Sequence, residues 1–291
     1  MRTAILGDVS SLKARIAKRL RSPGPTLRDH GFAAAGELDR VVVVSPHLDD
    51  AVFGCGDLLA ARPGSTAITV FAASPPEYPG SVASWDAQCG FGPADDSMAI
   101  RRAEDAAALA LLGAIPVWLP YCQDSHVPRP GGPLRPPDGA ATALEAAIRA
   151  AQPTAVVVPI GLSHPEHRCV HDLALEVRDR IPEVAWFAFA EIPYQALPGE
   201  LTAAITRLVG RGVSLEPVVL EVGAEHRARK VRAVEAYVTQ VGPLDRAWAL
   251  RRRIRVTPEG YWRIGQPVKV GSGVGSGWSR SRRRVGPISA P

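Results

Sequence analysis

Residues 40–60 read RVVVVSPHLDDAVFGCGDLLA. Val41, Val42, Val43 and Val44 form an unbroken β-branched run with no polar alternation, which predicts a strand buried on both faces, the kind found in parallel sheets. Ser45-Pro46 stops the run, because proline supplies no N–H to a ladder. His47, Asp49 and Asp50 follow at once. Residues 51–60 then resume as an apolar helix that ends near Arg62-Pro63-Gly64. The polar cluster therefore lies at the carboxyl end of a central strand, where open α/β sheets bind ligands. Adjacent carboxylates at a buried edge need compensating positive charge, and a divalent metal supplies it. His47 and a carboxylate three residues on could ligate one zinc ion, leaving the other aspartate to act on water. The competing reading is a helix N-terminus capped by Asp49 or Asp50, with His47 a loop residue.

A second strand signal, AVVVPI at 155–160, runs into Gly161-Leu162-Ser163-His164-Pro165-Glu166-His167, with a helix from about Arg168 to Asp179. In a parallel sheet both strand ends lie on one side, so His47, Asp50 and the His164/His167 pair can converge. The expected fold is α/β, Rossmann-like, with a mostly parallel sheet and helices on both faces. The turn after the first strand has no G-x-G-x-x-G, and its carboxylates would repel a pyrophosphate, which argues against a nucleotide-dependent oxidoreductase.

His47-Leu48-Asp49-Asp50, Gly54-Cys55-Gly56 and His164-Pro165-Glu166-His167 resemble the LmbE/PIG-L family of zinc-dependent N-acetylglucosaminyl deacetylases, with H-P-D-D after a first strand and H-P-D-H after a later one. The resemblance spans about Arg40 to Tyr194, with weaker echoes to Gln240. It implies one zinc ion held by His47, Asp50 and His167. It further implies Asp49 as the general base toward the attacking water. His164 would stabilise or protonate the tetrahedral intermediate, with Glu166 orienting it. Arg102, at the family's distance from Gly113, would bind substrate oxygens, and Asp124 would bind a sugar hydroxyl, as in relatives acting on mycothiol-type sugars. For Arg102 an ion pair within its helix is the alternative, and for Asp124 a turn residue bonding its own backbone. Leu48 stands for proline, Glu166 for aspartate and Asp57 for a glycine, and none of these removes a ligand. The implied reaction is hydrolysis of an N-acetyl amide on an amino sugar of a small glycoconjugate or secondary-metabolite precursor. A larger acyl or thiol-conjugate amide and a zinc-binding module without turnover are the alternatives.

The chain has 291 residues, 46% of them hydrophobic, enough for a sizeable core. It shows neither a transmembrane run nor a secretory signal core. Four cysteines without a C-x-x-C pair read as reduced thiols in a cytoplasmic protein. The net charge of +5 comes from basic ends, not from a patch interleaved with aromatics, so a nucleic-acid partner is disfavoured. Stable membrane insertion is not expected, and homo-oligomer formation is left open. Residues 39–264 are expected to form the domain. A basic extension at 1–38, with a helix-like segment at 10–20, precedes it, and a disordered Gly/Ser/Arg tail at 265–291 follows.

Elsewhere, residues 97–112 predict a helix with Ser97 as N-cap and Gly113 as stop. Residues 74–96 form a long loop in which Trp85 and Phe91 either cover a sugar or pin the loop. His126 reads as a loop histidine and His171 as a helical or supporting residue. Tyr194 lines the pocket or packs at the core edge. Residues 215–222 predict an edge strand and residues 224–240 one helix.

Overall fold

The computed structural model describes residues 38–78, 81–127, 134–220 and 222–265; the expectations for the basic extension up to residue 37 and for the tail from residue 266 lie outside them. The valine run forms β1 (Val41–Ser45), every residue of it buried. With β2 (Thr66–Thr69), β3 (Ile115–Trp118), β4 (Ala155–Pro159), β5 (Ala185–Phe189), β6 (Leu215–Val218) and β7 (Tyr261–Ile264) it builds a seven-stranded sheet in the order β3-β2-β1-β4-β5-β7-β6. β1 to β5 are parallel, whereas β7 runs antiparallel to both β5 and β6. β6 carries Pro217 and lies at the edge, where a missing N–H costs no ladder bond. Strand order reverses between β1 and β4, and a crevice opens at such a switch point.

Alternate residues of each strand serve two cores. Val41 and Val43 face α1 (Asp50–Ala61), while Val42 and Val44 face the opposite layer. Besides α1, the first layer holds α3 (Ser97–Leu112), α7 (Ala224–Val234), α8 (Val238–Trp248) and α9 (Leu250–Val256); the second holds α4 (Ala140–Ala151), α5 (Pro165–Arg178) and α6 (Glu200–Gly210). The long loop contains a short helix, α2 (Ser84–Gln88). Two sequence expectations change. The helix expected at 224–240 stops at Val234 and a new one starts at Val238. The cap of α3 is Asp96, whose carboxylate accepts the Ala99 N–H at 2.9 Å, while Ser97 is the first helical residue.

α1 is not continuous: Cys55 leaves the helical region, with φ −130° and ψ 17°. The N–H groups of Asp57 and Leu58, just past the break, donate to the two carboxylate oxygens of Glu259 at 2.8 and 3.3 Å. Lys230, fully buried, balances Glu259 at 2.5 Å, and the Tyr261 hydroxyl donates to it at 2.6 Å. Asp57, in the place of a family glycine, is buried against Arg227. Gly54 permits the closest approach of α1 to the sheet, because a Cβ there would lie 2.4 Å from the Phe189 ring of β5. Gly54→Ala is expected to destabilise the protein by about 1–3 kcal/mol through overpacking, read as a lower urea midpoint at unchanged slope.

Candidate active site

The loop between β1 and α1 is shaped by its own polar atoms. The Ser45 hydroxyl donates to the His47 carbonyl at 2.7 Å and accepts the Ala51 N–H at 2.9 Å. The buried Gln240 amide donates to the Leu48 carbonyl at 3.0 Å, so α8 holds the loop from above. Leu48 is buried with Ala72 and Met98, an apolar contact where the family has proline. After β4 the chain turns at Gly161, with φ +81°, a left-handed conformation that favours glycine. Pro165 starts α5, and the His164 ring caps it, accepting the Glu166 N–H at 3.3 Å.

These two loops bring His47, Asp50 and His167 together. His47 Nδ1 lies 3.2 Å from Asp50 Oδ2, His167 Nε2 lies 3.1 Å from the same oxygen, and the two nitrogens are 3.3 Å apart. A tetrahedral ion with bonds of about 2.0–2.1 Å has ligands about 3.3 Å apart, which is the size of this triangle. Two imidazoles and one carboxylate are also the donor set that such an ion takes, so these residues fit a metal site.

Each ring is held from behind by a carboxylate, an arrangement that fixes tautomer and orientation in metal sites. His47 Nε2 meets Glu166 Oε2 at 2.7 Å. His167 Nδ1 meets Glu191 Oε1 at 3.3 Å, and that oxygen also accepts the N–H groups of Gly161 and Leu162 at 2.9 and 3.0 Å. Glu166 therefore serves His47, not His164 as expected: the His164 ring lies 3.9 Å from its carboxylate. Its other oxygen accepts the Asp124 N–H at 2.8 Å, which ties the loop after β3 to the same spot.

Charge follows from this crowding. Burial alone would lower the His47 imidazole, yet hydrogen bonds to Asp50 and Glu166 push it up to about 10. His167 is likewise raised to about 9, against burial, by the charge of Asp50. Burial would raise Asp50 and Glu166, but the His167 charge holds Asp50 far below the carboxylate range, and the bond to His47 holds Glu166 at about 2. Asp49, buried beside Asp50 and outside the triangle, is pushed up to about 7 by burial and by that neighbouring charge. His164, at the rim, is lowered to about 4 by burial and by the charges of His47 and His167.

Other expected residues fall differently. Arg102 spends its guanidinium on the Ala72 carbonyl at 2.7 Å and the Ser74 hydroxyl at 3.2 Å, anchoring the start of the long loop. Its neighbour Arg101 is 1% exposed, pairs with Asp86 at 2.7 Å and adds its charge to the surroundings of Asp49. The ion pair within α3 is not formed: Glu104 bonds Thr239, and Asp105 bonds Tyr237 and Trp118. The side chain of Asp124 is exposed beside the cradle. His126 is a loop histidine as expected, and it is buried there, 2.8 Å from Asp86. His171 meets the Pro159 carbonyl at 2.6 Å and supports β4. Trp85 packs against the core layer of α1, and Phe91 is buried under Arg101, so both pin the loop.

Residues 42–178 match the profile of the PIG-L family, described as GlcNAc-PI de-N-acetylase. The chain carries a PIG-L family domain. Its fold is shared with a deacetylase triple mutant from the teicoplanin biosynthetic pathway, at TM-score 0.66 and 25% identity over 79% of this chain and 99% of that one. The A40926 pseudoaglycone deacetylase gives 0.62 and 26% over 79% and 98%. A deacetylase–teicoplanin complex gives 0.61 and 25% over 77% and 97%. No curated protein sequence matches the chain. The expected α/β fold and the enzyme class, hydrolytic de-N-acetylation, are those of this family and these neighbours. Among the described residues no helix is long and apolar enough to cross a membrane, and no disulfide joins the cysteines.

Sequence reasoning missed Glu191, Asp86 and Arg101. For Arg101 a signal existed, because it shares a helical face with Met98, Asp105, Ala108 and Leu112, all buried. Glu191→Gln is expected to lower divalent-metal affinity about 10–100-fold, measured by chelator competition on the purified protein, with the fold retained by circular dichroism.

Proposed function

We propose that the protein is a zinc-dependent hydrolase that removes the N-acetyl group from an N-acetylglucosamine-type amino sugar on a secondary-metabolite precursor or small glycoconjugate. The observation that carries this reading is the ligand-sized triangle of His47, Asp50 and His167 with Asp49 buried directly beside it. The neighbours named for teicoplanin and for the A40926 pseudoaglycone favour an amino sugar on a larger metabolite over a free monosaccharide.

His47, Asp50 and His167 would hold the ion, which supplies Lewis acidity toward the amide carbonyl and makes water more acidic. Asp49 takes the proton of the attacking water. It lies buried directly beside Asp50, where a carboxylate shielded from water can accept that proton. His164 stands at the rim, its ring 5.0 Å from that of His47, where a hydrogen bond to the carbonyl oxygen or to the departing amine is within reach. The balance is one amide and one water giving acetate and a free amine. Glu166 and Glu191 keep the two ligand rings in register, and Glu166 also fixes the backbone that presents Asp124 to a sugar hydroxyl. Arg101, buried near Asp49, supplies a fixed positive charge on the far side of the base.

Acetate release from a panel of N-acetylglucosamine conjugates is expected, and chelation should abolish it with recovery on adding zinc. Asp49→Ala is expected to cut turnover by about 10²–10⁴-fold while the metal stays bound. Joint loss of metal and activity in that variant would remove Asp49 from the role of base. No release from any conjugate by the metal-loaded protein would reject the deacetylase reading.

A further inference from the structure

Beyond the residues already given roles, the end of β5 places an aromatic side chain against the cradle. Tyr194 begins a single 3-10 turn, Tyr194–Ala196, just after Glu191. Its ring stands edge-on to His167, with centroids 5.2 Å apart and planes at 88°, and lies 6.3 Å from the His164 ring. Trp248 at the end of α8 braces it from the other side at 6.1 Å. The ring is thus fixed between a candidate ligand, the candidate proton donor and the wall of the crevice.

The contrast with other tyrosines is informative. Tyr78, Tyr237 and Tyr261 each donate their hydroxyl to a carboxylate, Asp96, Asp105 and Glu259, at 2.6–2.8 Å. Tyr194 has no such partner among the described residues, although the charges of Asp50, Asp49, Glu191 and Glu166 all bear on its phenol. A half-buried phenol keeps its proton at neutral pH, since its ordinary pKa is about 10. It is therefore a donor without an acceptor, held beside the place where negative charge develops when the amide carbonyl is attacked. A preorganised donor in that position strengthens as the oxygen becomes an oxyanion.

Resting on the deacetylase reading, we propose that Tyr194 is a catalytic residue that donates a hydrogen bond from its phenol to the oxygen of the tetrahedral adduct. No covalent bond to the tyrosine forms, and its proton stays with it. His164 is then released from stabilising the oxygen and serves the departing amine.

The test compares wild type with Tyr194→Phe, which keeps the ring packing against His167 and Trp248. Two measurements are made on the zinc-loaded protein: acetate release from an N-acetylglucosamine conjugate, and equilibrium binding of its methylphosphonamidate analogue, whose phosphorus mimics the tetrahedral adduct. Tyr194→Phe should lower kcat by about 100-fold, with KM changed by less than about threefold. Affinity for the phosphonamidate should fall by a similar factor and affinity for the intact amide should not. A kcat and a phosphonamidate affinity within about threefold of wild type would overturn the proposal. Equal losses for amide and phosphonamidate, or a loss of bound metal, would also overturn it, since they describe a packing role. Absence of acetate release by the wild type counts against the deacetylase reading, and the phosphonamidate titration then decides on Tyr194 by itself.

Discussion

Asp49, Asp50, Glu166 and Glu191 are buried together at the carboxyl ends of the central parallel strands, and their mutual repulsion is the constraint on which the site depends. Packed so closely, they cannot remain charged without positive partners. Two of the partners are imidazoles, and the neighbouring carboxylates push both His47 and His167 upward against burial. A divalent ion meets the same demand in one place, where the triangle of nitrogen and oxygen atoms already has its dimensions. A fit to a divalent ion and a poor fit to an anionic cofactor would share this one cause.

The fold delivers these groups through the ends of parallel strands. β1 carries His47, Asp49 and Asp50, β4 carries His164, Glu166 and His167, and β5 carries Glu191 and Tyr194. β1 and β4 are neighbours at the strand-order reversal, the place where open α/β sheets leave a crevice. The C-terminal segment then closes the site from the side: Gln240 holds the Leu48 carbonyl, while Lys230 and Glu259 fix the broken α1 below it. The break at Cys55 leaves orphan N–H groups inside a buried layer, and Glu259 is the acceptor that makes them tolerable.

What was legible in the sequence was what repeats or stops locally. The valine runs gave the buried strands, Pro46 and Gly161 gave their ends, and the parallel arrangement followed from runs without alternation. The convergence of His47, Asp50 and His167 came with it. Pairings across long separations were not legible. Nothing near Glu191 marks it as the partner of Gly161 and His167, 30 and 24 residues away. The choice of Arg102 over Arg101 used a distance to Gly113, but adjacent helical residues point about 100° apart, so face decides and distance does not. The break between α7 and α8 escaped because it is set by tertiary bonds, Tyr237 to Asp105 and Thr239 to Glu104, acting on a segment of good helical composition.

The exchange of aspartate for glutamate at position 166 has a consequence that the fold makes specific. One carboxylate oxygen reaches the His47 ring and the other reaches the Asp124 backbone, so a single side chain joins the candidate metal cradle to the loop after β3. A shift of the loop after β3 would act directly on the hydrogen bond that orients His47. Since that bond sets the ring's tautomer, the loop after β3 and the candidate metal cradle form one mechanical unit. The same holds on the other side, where Glu191 joins the turn after β4 to His167. His47 and His167 are therefore each placed by a carboxylate that also holds backbone, which makes their geometry a property of the strand ends and not of a mobile side chain.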